Sequence, residues 1–253
     1  MVKCCFPQRR KIDNDTYVYH NCGRCPACCQ NIRNDWVQRM KHEALTSSGC
    51  LFLTLTFDDE HLGQNSVEKE EVQKFMKRFR YYAQNKVRYF AVSEYGKQFG
   101  RKHYHIILYN TDLTDNPFYA VSYDAKKGGF WCFCRAWQDL KQSPIGHCFV
   151  KIPTDNDFAY TAKYITKSRQ SKQIKEYNRD NGKNTEFTLV SRCPGLGKKW
   201  LDFNFEKLLK KPFIRSKQFK MRLPRYYEDK LFPKGSDERE LHMMEKHGDI
   251  QYL

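Results

Sequence analysis

The chain has 253 residues, enough for one sizeable core with a small appendage, and its 45 Lys and Arg against 29 Asp and Glu leave a formal net charge of +16. That excess favours a polyanionic partner, of which nucleic acid is the commonest. No run of about 18 apolar residues occurs, so no membrane-spanning helix is expected, and residues 1–10 carry charge and cysteine where a secretory signal needs an apolar stretch. The expectation is a cytoplasmic protein whose 11 cysteines are reduced thiols or metal ligands rather than disulfides.

Taken in chain order, residues 1–50 form a cysteine-rich head with Cys4, Cys5, Cys22, Cys25, Cys28 and Cys29. Ile32, Trp36, Met40 and Ala44 follow at helical spacing. Residues 51–57, LFLTLTF, read as a strand. Residues 68–82 read as a helix with Val72, Phe75, Met76 and Phe79 inward. Residues 88–95 (RYFAVSEY) and 103–109 (HYHIILY) read as strands joined by a turn containing Gly96 and Gly100. Residues 110–128 read as a loop, 130–140 as a helix, and 146–152 as a strand. Asp155 or Asn156 can cap a helix running to about Ser168. One further strand is expected at 187–190, then a turn over Pro194, Gly195 and Gly197. From Lys210 the chain is charged and reads as extended or partly disordered. The domains expected are the head (1–50), a central domain (51–210) and a basic tail (211–253). No Walker-type phosphate loop is present, so no ATPase is expected.

Two patterns carry chemistry. His103 and His105 flank Tyr104, and residues i and i+2 of a strand share a face, so both imidazoles converge on one side of a sheet. Glu94, near the end of the partner strand, can lie beside them. Two imidazoles and a carboxylate suit Mg²⁺ or Mn²⁺ with open positions for a substrate oxygen. The competing reading is two surface histidines on an edge strand. In the second pattern Tyr160 and Tyr164 lie four apart on a helix, about 6 Å along the axis. A tyrosine oxygen can attack a phosphodiester and retain the 5′-phosphate as an ester, and a second ring within reach can repeat the attack. Lys163 and Lys167 share the helix, and a nearby ammonium would favour phenolate. Against this, amphipathic helices often bury tyrosine rings simply as core.

Cys22, Cys25 and Cys28 follow a C-x-x-C-x-x-C spacing that one more thiolate would complete as a structural Zn²⁺ site. An iron–sulfur run would want its next Cys at position 32, which is Ile32. The alternative is a set of free buried thiols. Lys198, Lys199, Lys210, Lys211 and residues 215–225, interleaved with Phe213, Phe219, Tyr226 and Tyr227, could follow a DNA backbone, although charge runs are more often solvated faces. Arg192 and the PGLG turn read as a plain turn.

LFLTLTF, then HYH at 103–105, then YTAKYITK at 160–167 together resemble the HUH endonucleases, specifically two-tyrosine rolling-circle replication initiators (Rep). CGRCPAC at 22–28 and SRCPGLG at 191–197 are similar to the initiators of gokushovirus-like Microviridae phages, and the resemblance runs from Cys4 to about Tyr227. It implies an α+β fold, a central antiparallel RRM-like sheet with flanking helices, plus the Cys-rich appendage. It also implies metal-dependent nicking of single-stranded DNA at a replication origin through a phosphotyrosine, in the cytoplasm of a bacterial host. By residue it makes His103 and His105 the metal pair, Tyr160 and Tyr164 the nucleophiles and Lys163 the lysine between them. An early C-x-x-P in those proteins favours Cys4 as fourth zinc ligand, with Cys5 and Cys29 also open. Lys167, Lys198 and Lys199 are DNA-contact candidates. With no ATPase, a host helicase and polymerase are the expected partners, and no membrane. The alternatives are a transposase or relaxase of the same fold, and a non-catalytic zinc-containing module that binds single-stranded nucleic acid.

Overall fold

The structure is a computed structural model that describes residues 3–11, 17–83, 85–115, 117–170, 172–216 and 219–247. In chain order the elements are β1 (Gln8–Lys11), β2 (Tyr17–His20), α1 (Pro26–Leu45), β3 (Cys50–Leu55), α2 (Lys69–Ala83), β4 (Arg88–Tyr95), β5 (Lys102–Tyr109), β6 (Phe118–Asp124), β7 (Gly129–Cys134), β8 (Cys148–Lys151), α3 (Asp155–Gln170), α4 (Lys172–Asp180), β9 (Thr188–Val190), α5 (Lys198–Phe203), α6 (Phe205–Lys210), β10 (Phe213–Ser216), β11 (Phe219–Arg222), α7 (Arg225–Leu231) and α8 (Asp237–His247). No described helix is long and apolar enough to cross a membrane.

Strand alternation builds the centre. Seven strands pair antiparallel in the order β6-β7-β8-β3-β5-β4-β9. Because side chains alternate along a strand, Leu51, Leu53, Leu55, Ala91, Tyr104, Ile106 and Leu108 face one way, against Val72, Phe75, Met76 and Phe79 of α2. Each of those four α2 side chains is almost fully buried, and burial contributes roughly 1.5–3 kcal/mol per large apolar side chain. Phe52, Phe90, Val92, Ile107 and Tyr109 face the other way, against Met40 of α1 and Phe158, Ala162 and Tyr164 of α3. The fold is α+β, a large antiparallel sheet with helices on both faces and a cysteine cluster near the N-terminus.

Tyr104 shows why a bulky phenol fits between the two histidines. Its ring lies in the α2-side core, its hydroxyl donates to the Glu71 carboxylate, and it accepts from the Glu68 backbone N–H at 2.9 Å. It therefore bolts β5 to the start of α2.

Three expectations are corrected. Residues 110–128 include β6, and residues 130–140 open with β7 rather than a helix. In GFWCFC, bulky residues occupy both faces of the strand and hide its period of two, while Cys132 and Cys134 turn into the α2-side core. The chain beyond Lys210 is folded where described: β10, β11 and α7 close a third core of Leu201, Leu208, Ile214, Leu223, Tyr227, Leu231 and Phe232.

That third core is fixed to α1 by polar contacts. Asp35 accepts from Arg222 Nη2 at 2.5 Å and from the Arg225 backbone N–H at 3.2 Å. Glu43 accepts from Arg88 and, at 2.7 Å, from the Gly197 N–H, while Arg39 Nε donates to Leu196 O at 3.1 Å. The PGLG turn is thus clamped by α1. Gly197 has φ +82, and a Cβ there would come within 2.0 Å of the Tyr227 hydroxyl oxygen, so the backbone conformation and the packing both require glycine.

His42 lies in the same junction, its Nδ1 3.0 Å from Tyr227 Oη and its ring stacked on Trp200 at 3.6 Å between centroids. Burial, aided by the Lys41 charge, pushes its pKa down to about 4 from the ordinary 6.5. Between those values the unfolded chain binds a proton that the folded chain does not, so stability is full above pH 6.5 and falls as the pH drops towards 4. The loss by pH 4.5 is expected to be roughly 2–3 kcal/mol. Urea unfolding at pH 7 and pH 4.5 measures it, and His42→Gln should show a correspondingly smaller loss on acidification.

Candidate metal and tyrosine site

The site grows out of strand register. Glu94 on β4 lies directly opposite His103 on β5, Val92 opposite His105, and Thr54 on β3 flanks His105 from the other side. All four polar side chains extend the α1/α3-side face beyond its apolar part. Glu94 is buried, and its Oε2 lies 3.3 Å from His103 Nε2 and 3.3 Å from His105 Nε2. Burial works against the Glu94 carboxylate, but hydrogen bonding from His103, His105, Tyr164 and Tyr160 outweighs it and holds its pKa well below the usual carboxylate range.

The outer ring nitrogens decide what the inner ones can do. His103 Nδ1 lies 3.3 Å from Arg101 O, a carbonyl that can only accept, so this nitrogen carries the hydrogen and Nε2 keeps a lone pair. His105 Nδ1 meets the Thr54 hydroxyl at 3.0 Å. His105 Nε2 is fully shielded and makes no well-formed hydrogen bond among the described residues; the 3.3 Å approach to Glu94 is an ion-pair distance only. Burial depresses the His105 pKa, favouring the neutral ring that coordinates metals. A lone pair aimed at a carboxylate oxygen is satisfied by a cation between them. The spacing fits, since adjacent ligands of an octahedral ion with ligand distances near 2.1 Å lie about 3 Å apart. Glu94, His103 and His105 can therefore hold a metal ion.

Helix α3 delivers the two phenols. The expected caps, Asp155 and Asn156, are not the ones used: Asp157 accepts from both the backbone N–H and the hydroxyl of Thr154 at 2.7 Å, the reach-back half of a capping box. Asp157 also pairs with Lys151 at the end of β8 at 2.7 Å, which fixes the start of α3 to the sheet. One turn on, Tyr160 Oη donates to Glu94 Oε2 at 2.8 Å, and Tyr164 Oη donates to Tyr160 Oη at 2.9 Å. The Tyr160 ring stands edge-on to His105. Tyr160 is 40% exposed and Tyr164 only 8%, so the two phenols are ordered outward from a buried partner. Burial, with the Glu94 carboxylate adding to it, raises the Tyr160 pKa to about 12 and lifts that of Tyr164 further. Both are neutral phenols at neutral pH.

The lysines differ in position. Lys163 is exposed on α3. Lys167 pairs with Glu186 at 2.5 Å and sits 5.4 Å from the Tyr164 ring centre. Lys198 pairs with Asp202 within α5, and Lys199 donates to Thr46 O at 3.2 Å, so each is already engaged by the protein. Two positioning residues escaped the sequence reading, Thr54 and Asp157. Both were signalled: Thr54 by alternation in LTLTF, Asp157 by the T-x-x-D pattern ahead of the helix.

A second cluster joins Cys4, Cys22, Cys25 and Cys28, whose sulfurs all lie within 4.8 Å of one another. Cys4 Sγ is 3.9 Å from Cys25 Sγ, and Cys22 Sγ is 4.0 Å from Cys28 Sγ. The edge of a tetrahedral zinc–thiolate site is about 3.8 Å for Zn–S bonds near 2.3 Å, so the set fits zinc. Backbone N–H groups of Cys28 and Cys5 point at Cys25 Sγ and lower its pKa to about 5. Cys25 is also the N-cap of α1, whose dipole favours a thiolate there. Cys29 turns away to Arg24 O, and Cys5 contributes its backbone rather than its thiol.

The family model described as replication-associated protein ORF2 matches residues 50–169, the span from β3 through most of α3 that holds both the Glu/His triad and the tyrosine pair. Three curated proteins are similar along most of the chain. They are the replication-associated protein ORF4 of Chlamydia phage 1 (26% identical, 87% of this chain and 55% of the relative), ORF2 of Spiroplasma virus 4 (27%, 89% and 72%) and VP4 of Bdellovibrio phage phiMH2K (25%, 82% and 66%). The match spans little more than half the length of the Chlamydia phage 1 relative. No solved structure matches. These likenesses bear out the resemblance to replication proteins of gokushovirus-like phages that the sequence motifs carry.

Two measurements test the metal sites. Metal analysis of the purified protein is expected to find one zinc per chain, with Cys25→Ser losing it and melting at lower temperature. Mn²⁺ titration followed by electron paramagnetic resonance should find a separate site, weakened at least about tenfold in His105→Ala, because a missing ligand is not replaced by the neighbouring Thr54.

Proposed function

We propose that this chain, a relative of phage replication-associated proteins, is a rolling-circle initiator of the HUH type that nicks and rejoins origin single-stranded DNA. What supports the reading most directly is the chain of contacts from the His103/His105/Glu94 cluster through Tyr160 to Tyr164. Two nucleophile candidates reach the same carboxylate that completes the metal triad, which neither a core packing role nor a passive binding role requires.

In this reading the Tyr160 oxygen attacks the scissile phosphorus. A bond forms between phosphorus and the phenol oxygen, the bond to the 3′-oxygen breaks, and the DNA leaves with a free 3′-hydroxyl that can prime synthesis. Mg²⁺ or Mn²⁺ held by Glu94, His103 and His105 would polarise the phosphate, absorb charge developing on it and favour loss of the phenol proton. Glu94 orients the Tyr160 hydroxyl, and Thr54 and the Arg101 carbonyl fix the two imidazoles. Tyr160 acts first because it is the exposed phenol in contact with the triad. Tyr164, behind it, serves the second transfer that terminates a round and rejoins the strand. Lys163 is exposed on the same helix and is placed to meet a DNA phosphate, with Lys167, Lys198 and Lys199 as further contacts that exchange their internal partners for DNA. Zinc at the four cysteines is structural. Strand separation and synthesis fall to a host helicase and polymerase.

The test is incubation with origin-bearing single-stranded DNA and Mn²⁺, followed by denaturing electrophoresis. Wild-type protein is expected to give a DNA adduct that survives denaturation. Tyr160→Phe should reduce first adduct formation at least about a hundredfold, whereas Tyr164→Phe should still nick but fail to rejoin. An adduct that persists in the double phenylalanine variant, or is absent from the wild type on every single-stranded substrate, overturns the assignment.

A further inference from the structure

The hairpin β1–β2 is an excursion between two ligands of one cluster. Cys4 precedes it and Cys22 follows it, and their sulfurs belong to the same four-cysteine group. A two-stranded hairpin is marginal in water unless a core or a cross-link supports it. Here Arg9, Arg10 and Lys11 are exposed, as are Tyr19 at 64% and Tyr17 at 39%, so folding stability does not explain the choice of side chains.

Their register does suggest a use. Arg9 lies opposite Tyr19 and Lys11 opposite Tyr17, so all four side chains share one face of the hairpin. The Arg9 guanidinium stacks on the Tyr17 ring at 3.4 Å, a diagonal cross-strand contact that holds the ring upright. Two cations and two rings interleaved on one exposed face form the arrangement that follows an unpaired backbone while bases stack on the aromatics. A duplex offers phosphates to such a face but no free base faces.

We propose that this face, Arg9, Lys11, Tyr17 and Tyr19, is a binding arm for single-stranded DNA, separate from the Glu94/His103/His105/Tyr160 cluster and held at its base by the four cysteines. Only the choice of DNA as the polyanion rests on the proposed function. The arm places affinity outside the reacting groups, so binding and strand cleavage become separable.

Fluorescence anisotropy on the full chain tests this, using a dye-labelled oligothymidine of about 20 nucleotides and a duplex of equal length over a range of salt. Tyr19→Ala is expected to bind the single strand about tenfold more weakly, with duplex affinity changed less than twofold. Arg9→Ala/Lys11→Ala should lower the slope of log affinity against log salt by about 1.4, the value for two single-strand phosphate contacts. Zinc content and melting temperature of Tyr19→Ala should match the wild type, and at saturating origin DNA its adduct yield should be unchanged. Unaltered single-strand affinity in both variants overturns the arm, as does an equal loss on duplex and single strand. If the wild type forms no adduct but Tyr19→Ala still weakens oligothymidine binding, the nuclease reading fails and the arm stands.

Discussion

Glu94 carries a charge in a place where water cannot reach it well, and an isolated carboxylate there would be strongly unfavourable. Its compensation comes from two elements at once: His103 and His105 from the adjacent strand and Tyr160 from the helix across the sheet face. Removing any one of these side chains leaves the charge less well paired. The same need keeps the cluster together, because each partner's polar atom has few alternatives in that pocket. A site that binds a cation is therefore built by the same electrostatics that stabilises the junction of sheet and helix.

Helix α1 is the other constraint. Its N-cap is a cysteine of the metal-type cluster, its Met40 fills the core beneath the sheet, and its Asp35, Arg39, His42 and Glu43 hold the PGLG turn and the C-terminal core. The head, the central sheet and the C-terminal core meet on this single helix. Polar side chains on a largely covered helix give a low amphipathic contrast, yet each finds a specific partner, which favours one docking geometry over others.

The parts of the fold legible in the sequence were those with local periodicity. Strands β4 and β5, helix α2 and the tyrosine helix follow from spacing alone, and the co-facial placement of His103 with His105 is a consequence of strand geometry. The Cys22, Cys25 and Cys28 spacing is local in the same sense. Strand β7 was misread because aromatic residues on both faces erase alternation, and the C-terminal core was missed because its apolar residues are scattered among charges and gather only when α7 and β10–β11 fold back on α5 and α6.

What the sequence by itself determined is which groups share a face within each element: imidazole with imidazole, phenol with phenol, thiol with thiol. Tertiary structure decided the rest. It set Glu94 against both histidines, ranked Tyr160 in front of Tyr164, brought Cys4 to three distant thiols, and tied Lys167 to Glu186 and Lys198 to Asp202. The physical reason is that intra-element geometry is fixed by backbone repeat, whereas burial, pairing and pKa depend on what packs across the chain, and that is set by the register of the sheet and the docking of helices upon it.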